Sequence, residues 1–312
     1  MLTLRSPAAP RAPGEGRARR LARRDAVLVA APAKVNLFLE VRGRRADGYH
    51  EIATLMTAVS LFDTLELHPD PSGAITLECS LPDVPSGPGN LAYRAAALLK
   101  QRTGNGLGAR VRLTKRIPPA AGLAGGSSDA AAALAGLNRL WGLGLAPAEL
   151  AALGTELGSD VPFFFSTPAA WCTGRGEVVT PLELGRVLHF VLVCPPEGLG
   201  TAEVYRRVRV PQRPEQGGRL RAAAAAGDVE AIGRNLHNRL QEPAEEICPR
   251  VGEIRGRLGN TGAAGALMSG SGSCLFAVCR DRREAVRVAA EVRADPSPAL
   301  AGCRVFVVRS CV

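Results

Sequence analysis

Long apolar runs are missing from this chain. None reaches the roughly 18 residues that a membrane-spanning helix needs. The richest helical stretch, from Ala130, is broken by Asn138 and Arg139. No membrane segment is therefore expected. The first residues also lack a signal peptide's apolar centre, because Arg, Pro and Gly interrupt it. Metal-type cysteine spacing is missing too. The eight cysteines, Cys79, Cys172, Cys194, Cys248, Cys274, Cys279, Cys303 and Cys311, include no C-x-x-C pair and have no histidine cluster beside them. That pattern argues against zinc. Several sit in apolar runs such as "HFVLVC" and "SCLFAVC", where they read as small buried residues, and a reduced, cytoplasmic setting is expected. Aromatic residues are scarce at 4 %, which leaves little for stacking along a nucleic-acid strand.

What is present is enough for one large or two ordinary domains: 312 residues, 46 % of them hydrophobic. Half of the net charge of +10 falls in residues 1–25, which carry seven Arg against Glu15 and Asp25. This Arg-, Ala-, Pro- and Gly-rich stretch can bury little, so it reads as a disordered basic extension. The remaining charge agrees with anionic substrates.

Helix-like and strand-like stretches alternate without an internal repeat, which predicts a mixed α+β protein. In "KVNLFLEV", Val35, Leu37, Leu39 and Val41 alternate with Asn36, Phe38 and Glu40 at strand period, so Lys34 and Asn36 share the opposite face. "ADG" at 46–48 signals a hairpin turn that returns Tyr49 and His50 towards the preceding strand. "NLAYRAAALLKQRTG" predicts a helix capped by Asn90 and stopped by Gly104, and "PAELAALGTELG" a helix from Pro147 to Gly158. A second alternation begins near residue 181. It holds a strand at 187–194, helices around 218–258, a Gly/Ser turn at 269–273, a helix from about 282 and a last strand "CRVFVVRS". The expected division is 26–180 and 181–312.

The stretch "KRIPPAAGLAGGSSDAAAALAGLN" places glycines and two serines before a helical run. It lacks the Lys of a Walker loop and the spacing of a dinucleotide fingerprint. Its physics still suits an anion. Glycines allow close backbone approach, Ser127 and Ser128 add hydroxyls, and a helix N-terminus adds unpaired amides. Asp129 is expected to cap that helix. A plain capped helix start fits the segment equally well when it is read alone.

Four segments in order decide between the two. "PAKVNLFLEVRGRRADGYHEIATL", "KRIPPAAGLAGGSSDAAAALAGLN", "LGSDVPFFF" with "GRGEVVTPL", and "LMSGSGSCLFAV" resemble the GHMP kinase superfamily. The pairing of "PAKVNLFL" with "ADGYHE" resembles its branch acting on a cytidylated methylerythritol. The resemblance implies a two-domain fold, with an N-terminal half like a ribosomal protein domain and a ferredoxin-like α/β sandwich after it. It also implies phosphate transfer from ATP, with Mg²⁺ brought by the nucleotide, to the substrate's 2-hydroxyl, on the methylerythritol phosphate route to isopentenyl diphosphate. A monomer or homodimer is expected.

The same resemblance implies residue roles. Lys34 and Asp160 match the family's catalytic pair. Asn36, Tyr49, His50, Thr201 and Tyr205 would contact the substrate, the aromatics by stacking on cytosine. Asn90, Lys115, Pro118, Pro119, Ala120, Ala121, Gly122, Leu123, Ala124, Gly125, Gly126, Ser127 and Ser128 would serve ATP. "SGSGS" at 269–273 would pack beside that loop. Ala120, Ala121 and Ala124 depart from a more glycine-rich family loop, and Gly122, Gly125 and Gly126 are expected at the positions that need positive φ. A mevalonate- or homoserine-type kinase has no use for "ADGYHE". A basic nucleic-acid-binding protein has no use for Lys34, Asp160 and two Gly/Ser loops together.

Overall fold

A short turn sets the register of everything upstream of residue 70. In the computed structural model, which describes residues 2–5, 26–166 and 168–311, Gly48 takes a φ of 83°. Asp47 Oδ1 accepts the Tyr49 N–H at 3.1 Å, and Arg45 N donates to Tyr49 O at 2.8 Å. This Asx-type turn is the one Asp-Gly favours. It joins β2 (Val27–Arg44) to β3 (His50–Asp70), of 18 and 21 residues. Strand β1 (Thr3–Arg5) pairs antiparallel with Leu28–Ala30. Those three residues are ordered into the sheet, contrary to the expected disordered extension, because strand pairing satisfies their backbone. The rest of that extension, 6–25, lies outside the described residues.

The chain divides into two compact units, interleaved and not split once near 180. One takes residues up to Pro32, Phe62–Ile117 and Gly125–Phe165; the other takes Ala33–Leu61, Pro118–Ala124 and Ser166 onward. The division is interleaved because β2 and β3 each run through both.

In the first unit, Thr64–Asp70 of β3 pairs antiparallel with β5 (Gly108–Thr114), which pairs in parallel with β4 (Ile75–Cys79). Helix α1 (Leu91–Thr103) begins at Asn90, whose side chain accepts the Ala92 N–H. It ends at Gly104 in the left-handed region, φ 60°. Helix α2 (Gly125–Trp141) carries the alanine run and is buried along most of its length. Helix α3 (Pro147–Leu157) starts on its proline and ends at Gly158. Small residues let α2 come close to its neighbours, and it packs on both α1 and α3. At Gly136 the approach is tightest: an added Cβ would lie 2.2 Å from Leu67 Cδ1 and 2.8 Å from Val29 Cγ2.

In the second unit, β6 (Ala169–Thr173) pairs antiparallel with Thr54–Thr57 of β3, and β7 (Val178–Pro181) pairs with β6. A separate four-stranded antiparallel sheet follows. It includes β8 (His189–Cys194), and the strand order is β10 (Gly265–Met268), β11 (Leu275–Cys279), β8, β12 (Arg304–Arg309). Between these strands run α4 (Thr201–Arg207), α5 (Gly218–Ala226), α6 (Val229–Arg234), β9 (His237–Asn238), α7 (Gln241–Ile247), α8 (Pro249–Gly259) and α9 (Arg282–Ala294). Val191, Val193, Leu275 and Ala277 pack with Val251, Ile254 and Leu258 of α8 and Val288 and Val292 of α9. This is the expected α/β sandwich. Among the described residues no helix is long and apolar enough to cross a membrane.

The packing at Gly136 gives a direct test. Gly136→Ala should destabilise by about 1–3 kcal/mol, the range for overpacking a filled core, although alanine is the better helix former. An unchanged urea midpoint would show that the helix can move away from Leu67.

Candidate functional site

Alternation along β2 puts Lys34, Asn36, Phe38 and Glu40 on one face, opposite Val35, Leu37, Leu39 and Val41. That polar face is buried: Lys34 is 3 % exposed and Asn36 2 %. A buried ammonium needs acceptors. Lys34 Nζ donates to Asn36 Oδ1 at 2.6 Å and to Gly122 O at 3.1 Å. Asn36 is oriented in turn by Nδ2 donating to Thr54 Oγ1 at 2.8 Å, and that hydroxyl donates to Phe38 O at 2.6 Å.

The glycine loop meets this strand through its carbonyls. Leu199 N donates to Ala120 O at 3.3 Å, Cys274 N to Ala121 O at 3.2 Å and Lys34 N to Leu123 O at 3.1 Å. Gly122 O accepts Lys34 Nζ and also Ser269 Oγ at 3.0 Å. Four consecutive carbonyl oxygens are thus engaged by protein donors. A loop whose negative oxygens are already engaged can offer N–H groups to an anion without competing repulsion.

Of the three glycines expected in the left-handed region, only Gly122 is found there. Gly122 has φ 72°, but Ala120 and Ala124 have φ 51° and 53°, whereas Gly125 and Gly126 do not fall in that region. The latter two are the first residues of α2. Each left-handed alanine costs about 1–2 kcal/mol, and the bonds from Leu199 and Lys34 to the flanking carbonyls hold the loop there. Gly125 is required for another reason: its Cβ would come within 3.0 Å of Ile117 Cγ2 and 3.2 Å of Lys115 Nζ. Gly126 has room for a methyl group, with Leu91 Cδ1 at 3.5 Å.

Asp129 is not the helix cap, because α2 starts four residues before it. Its Oδ2 accepts Lys115 Nζ at 2.6 Å, and Asp63 Oδ2 accepts the same ammonium at 2.5 Å. Asp63 Oδ1 also accepts the backbone N–H groups of Arg116 and Ile117, at 2.5 and 2.9 Å. Lys115 is therefore part of a buried cluster of one ammonium and two carboxylates. Burial raises the Asp129 carboxyl; Lys115 opposes this and Asp63 adds to it, and the net effect pushes it up to about 7. Asn90, the other residue expected near the nucleotide, uses Oδ1 as the cap and Nδ2 to reach Pro85 O at 2.8 Å. Ser128 is fully buried within the first turns of α2, and Ser127 and the leading prolines Pro118 and Pro119 flank the loop.

A second group gathers around His50. Its ring lies 5.2 Å from that of Tyr205, tilted by 33°. Burial, with Arg44 nearby, holds the imidazole below its usual range, so it is neutral at pH 7. His50 Nε2 is buried without a hydrogen-bond partner. Thr201 Oγ1 and Ser271 Oγ lie 2.9 Å apart. Tyr49 is 54 % exposed, and its ring carries the Arg175 guanidinium 4.7 Å from its centroid. The sequence reading missed Arg175, Asp63 and Thr54. "GRGE" was the only signal for the first, and the other two act through contacts more than 15 positions away. Asp160 sits half-buried in the turn between α3 and a 3₁₀ helix at Pro162–Phe165, where Val161 N donates to Gly158 O at 3.2 Å.

A glycine loop tied to a lysine-bearing strand, with a C-terminal α/β sandwich, defines the class, and the family descriptions agree. Residues 90–167 match "GHMP kinases N terminal domain" and residues 220–297 match "GHMP kinases C terminal". Among curated relatives, the 4-diphosphocytidyl-2-C-methyl-D-erythritol kinase of Symbiobacterium thermophilum is 46 % identical over 265 residues, 84 % of this chain and 93 % of that protein. The enzyme of the same name from Shouchella clausii is 44 % identical over 261 residues, 83 % of this chain and 88 % of the relative. A crystal structure of 4-(cytidine 5'-diphospho)-2C-methyl-D-erythritol kinase superposes with a TM-score of 0.76 at 38 % identity, covering 91 % of this chain and all of that one. A homoserine kinase from Cytophaga hutchinsonii shares the fold, with a TM-score of 0.73 at 18 % identity. This chain belongs to the 4-diphosphocytidyl-2-C-methyl-D-erythritol kinase family, within the GHMP kinases.

Two outcomes test the geometry. At Gly122 an added Cβ would stand 2.0 Å from Ser269 O at a φ of 72°, so Gly122→Ala should cost at least about 2 kcal/mol. Gly126→Ala should be neutral or stabilising by up to about 1 kcal/mol. Equal losses in chemical denaturation would contradict the assigned positions. The second outcome is a pH dependence. Asp129's folded value stands above the ordinary aspartate value of about 3.9, so the native state holds the extra proton between these values. Its contribution to stability is therefore greatest at low pH and declines as pH rises towards 7. Asp129→Asn should flatten the stability profile between about pH 4 and 7, read from denaturant midpoints across that range.

Proposed function

We propose that this chain transfers the γ-phosphoryl group of ATP to the 2-hydroxyl of 4-diphosphocytidyl-2-C-methyl-D-erythritol. The observation that carries this is its identity to kinases of that name, 46 % to one covered over 93 % of its length. The site chemistry supports the same reading. Phosphoryl transfer needs positioning and offset of negative charge more than covalent chemistry. The loop Pro118–Ser128 presents donors suited to phosphate oxygens, and Lys34 supplies a cation held at a fixed point by Asn36 and Gly122. Asp160 would accept the hydroxyl proton as that oxygen attacks phosphorus and ADP leaves. Asn36 would contact the substrate or its phosphates.

The aromatic group suits a substrate with a base. Tyr49 and Tyr205 offer stacking faces. His50, held neutral, can give or take a hydrogen bond at its unpartnered Nε2, which matches the polar edge of cytosine. Thr201 adds a hydroxyl beside Ser271.

Mg²⁺ would come with the nucleotide, since this ion is usually held by one or two protein oxygens plus phosphates. Ser128 Oγ is a buried oxygen without a hydrogen-bond partner, and it is the protein group that would hold the ion. When bound, the ion neutralises phosphate charge. None of the eight cysteines, all among the described residues, forms a disulfide, which suits a reducing compartment such as the cytoplasm.

ADP release, measured with the cytidylated substrate, mevalonate and homoserine in parallel, tests this. Turnover is expected with the first alone, and turnover with mevalonate alone would overturn it. Asp160→Asn should lower kcat by about 10²–10⁴-fold with KM for ATP little changed. Full activity in that variant would remove Asp160 from the mechanism.

A further inference from the structure

The Gly/Ser turn at 269–273 is held from outside, and the holding group can be traced. Asn238 Nδ2 donates to two of its carbonyl oxygens, Met268 O and Gly270 O, both at 2.8 Å. Between them Ser269 sends its hydroxyl to Gly122 O at 3.0 Å and accepts the Asn36 N–H at 3.3 Å. Asn238 thus fixes the turn that fixes the carbonyl on which Lys34 rests.

Asn238 itself sits on β9, a strand of only two residues, paired in parallel with Phe38–Leu39. Two residues of ladder cannot set a side chain's position firmly. The fixing group is Glu40, whose side chain is fully buried. Its Oε1 accepts Arg239 Nε at 2.8 Å and its Oε2 accepts Arg239 Nη2 at 2.9 Å, a two-pronged pair. Oε2 also lies 3.2 Å from His237 Nε2. Val41 N at 2.8 Å and Glu215 N at 3.0 Å complete its acceptor sites. Glu40 therefore grips the residues immediately before and after Asn238. Burial opposes the charge, but Arg239, His237 and the two backbone N–H groups outweigh it and hold the carboxyl far below the usual range. It is ionised throughout the pH range of any assay. The His237 ring packs 5.2 Å from Phe38, which lies 5.4 Å from Trp171. The clamp is thus embedded in rigid surroundings.

We propose that Glu40 is a positioning residue for phosphoryl transfer: by clamping His237 and Arg239 it sets Asn238, and through Asn238 the Gly/Ser turn, Gly122 and Lys34. This deepens the proposed function and rests on it. Glu40 touches neither the loop nor Lys34; its effect passes through β9. The side chains of His50, Tyr205 and Tyr49 hang on none of these bonds, and the substrate group meets the turn at Thr201–Ser271, so a larger effect on nucleotide than on pyrimidine parameters is expected.

The test compares wild type, Glu40→Gln, Asn238→Ala and the double variant. Glu40→Gln should lower kcat about tenfold and raise KM for ATP, with KM for the cytidylated substrate within about twofold. The double variant should lose little more than either single one, because both act in one chain. Amide hydrogen exchange should quicken at 269–273 and 120–124 and stay unchanged at 49–52. That readout needs no turnover. Should the wild type not use the cytidylated substrate, the functional reading fails, and exchange still decides the clamp. A variant with a lower Tm but wild-type kcat and unchanged exchange at 269–273 would overturn the proposal, as would additive losses in the double variant. If Glu40→Gln does not fold, Arg239→Lys is read in its place. It keeps the charge and loses the two-pronged geometry, and the same split is expected.

Discussion

The carbonyl oxygen of Gly122 is the point on which the rest of the site depends. It takes the ammonium of Lys34 and the hydroxyl of Ser269 together. One atom therefore ties its own loop to a strand residue 88 positions away and a turn residue 147 positions away. Only a residue without a side chain can stand there, because a Cβ would meet Ser269 O at 2.0 Å. The requirement is steric and conformational at once, since the backbone is also left-handed at that position. Closing such a contact costs loop entropy that grows slowly with separation, so distance along the chain is no obstacle once strands β2 and β11 are formed.

How much of this the sequence disclosed follows from the range of each interaction. Asn90 as a cap, Gly104 and Gly158 as stops and the Asp47–Gly48 turn were legible because each is decided within four or five residues. The polar face of β2 was legible because strand alternation is strict. The left-handed alanines were not. Local preference assigns positive φ to glycine, and in this loop bonds from Leu199, Cys274 and Lys34 to successive carbonyls override that preference at Ala120 and Ala124. Asp129 was read as a cap because capping is a local rule. Its real partner, Lys115, comes from the strand before the loop, and the second carboxylate is 52 residues from that lysine. No pattern in one sequence marks such a cluster.

The two buried lysines show why burial alone does not make a lysine catalytic. Lys115 is matched by two carboxylates, an arrangement that over-neutralises it and stores a proton on Asp129. It ties the residues that enter the glycine loop to those that leave it. Lys34 also bonds an amide oxygen and a peptide carbonyl. Hydrogen bonds of that kind fix where the ammonium is, and fixed charge is what a preorganised site needs when charge develops on a moving phosphoryl group.

Glu40 applies the same logic one layer further out. A buried carboxylate is costly unless its acceptor sites are filled, and five donors from four residues, its own neighbour's amide among them, fill these. Breaking such a group is far more expensive than never having had it. Strand β9 is too short to register by its own ladder, yet it must place Asn238 to within hydrogen-bonding distance of two carbonyls. A bond from Glu40 to the residue on each side of that asparagine supplies directional constraint where backbone pairing cannot. The charge at Glu40 is thus best understood as a device for geometry, and its cost in desolvation is the reason to expect that the geometry matters.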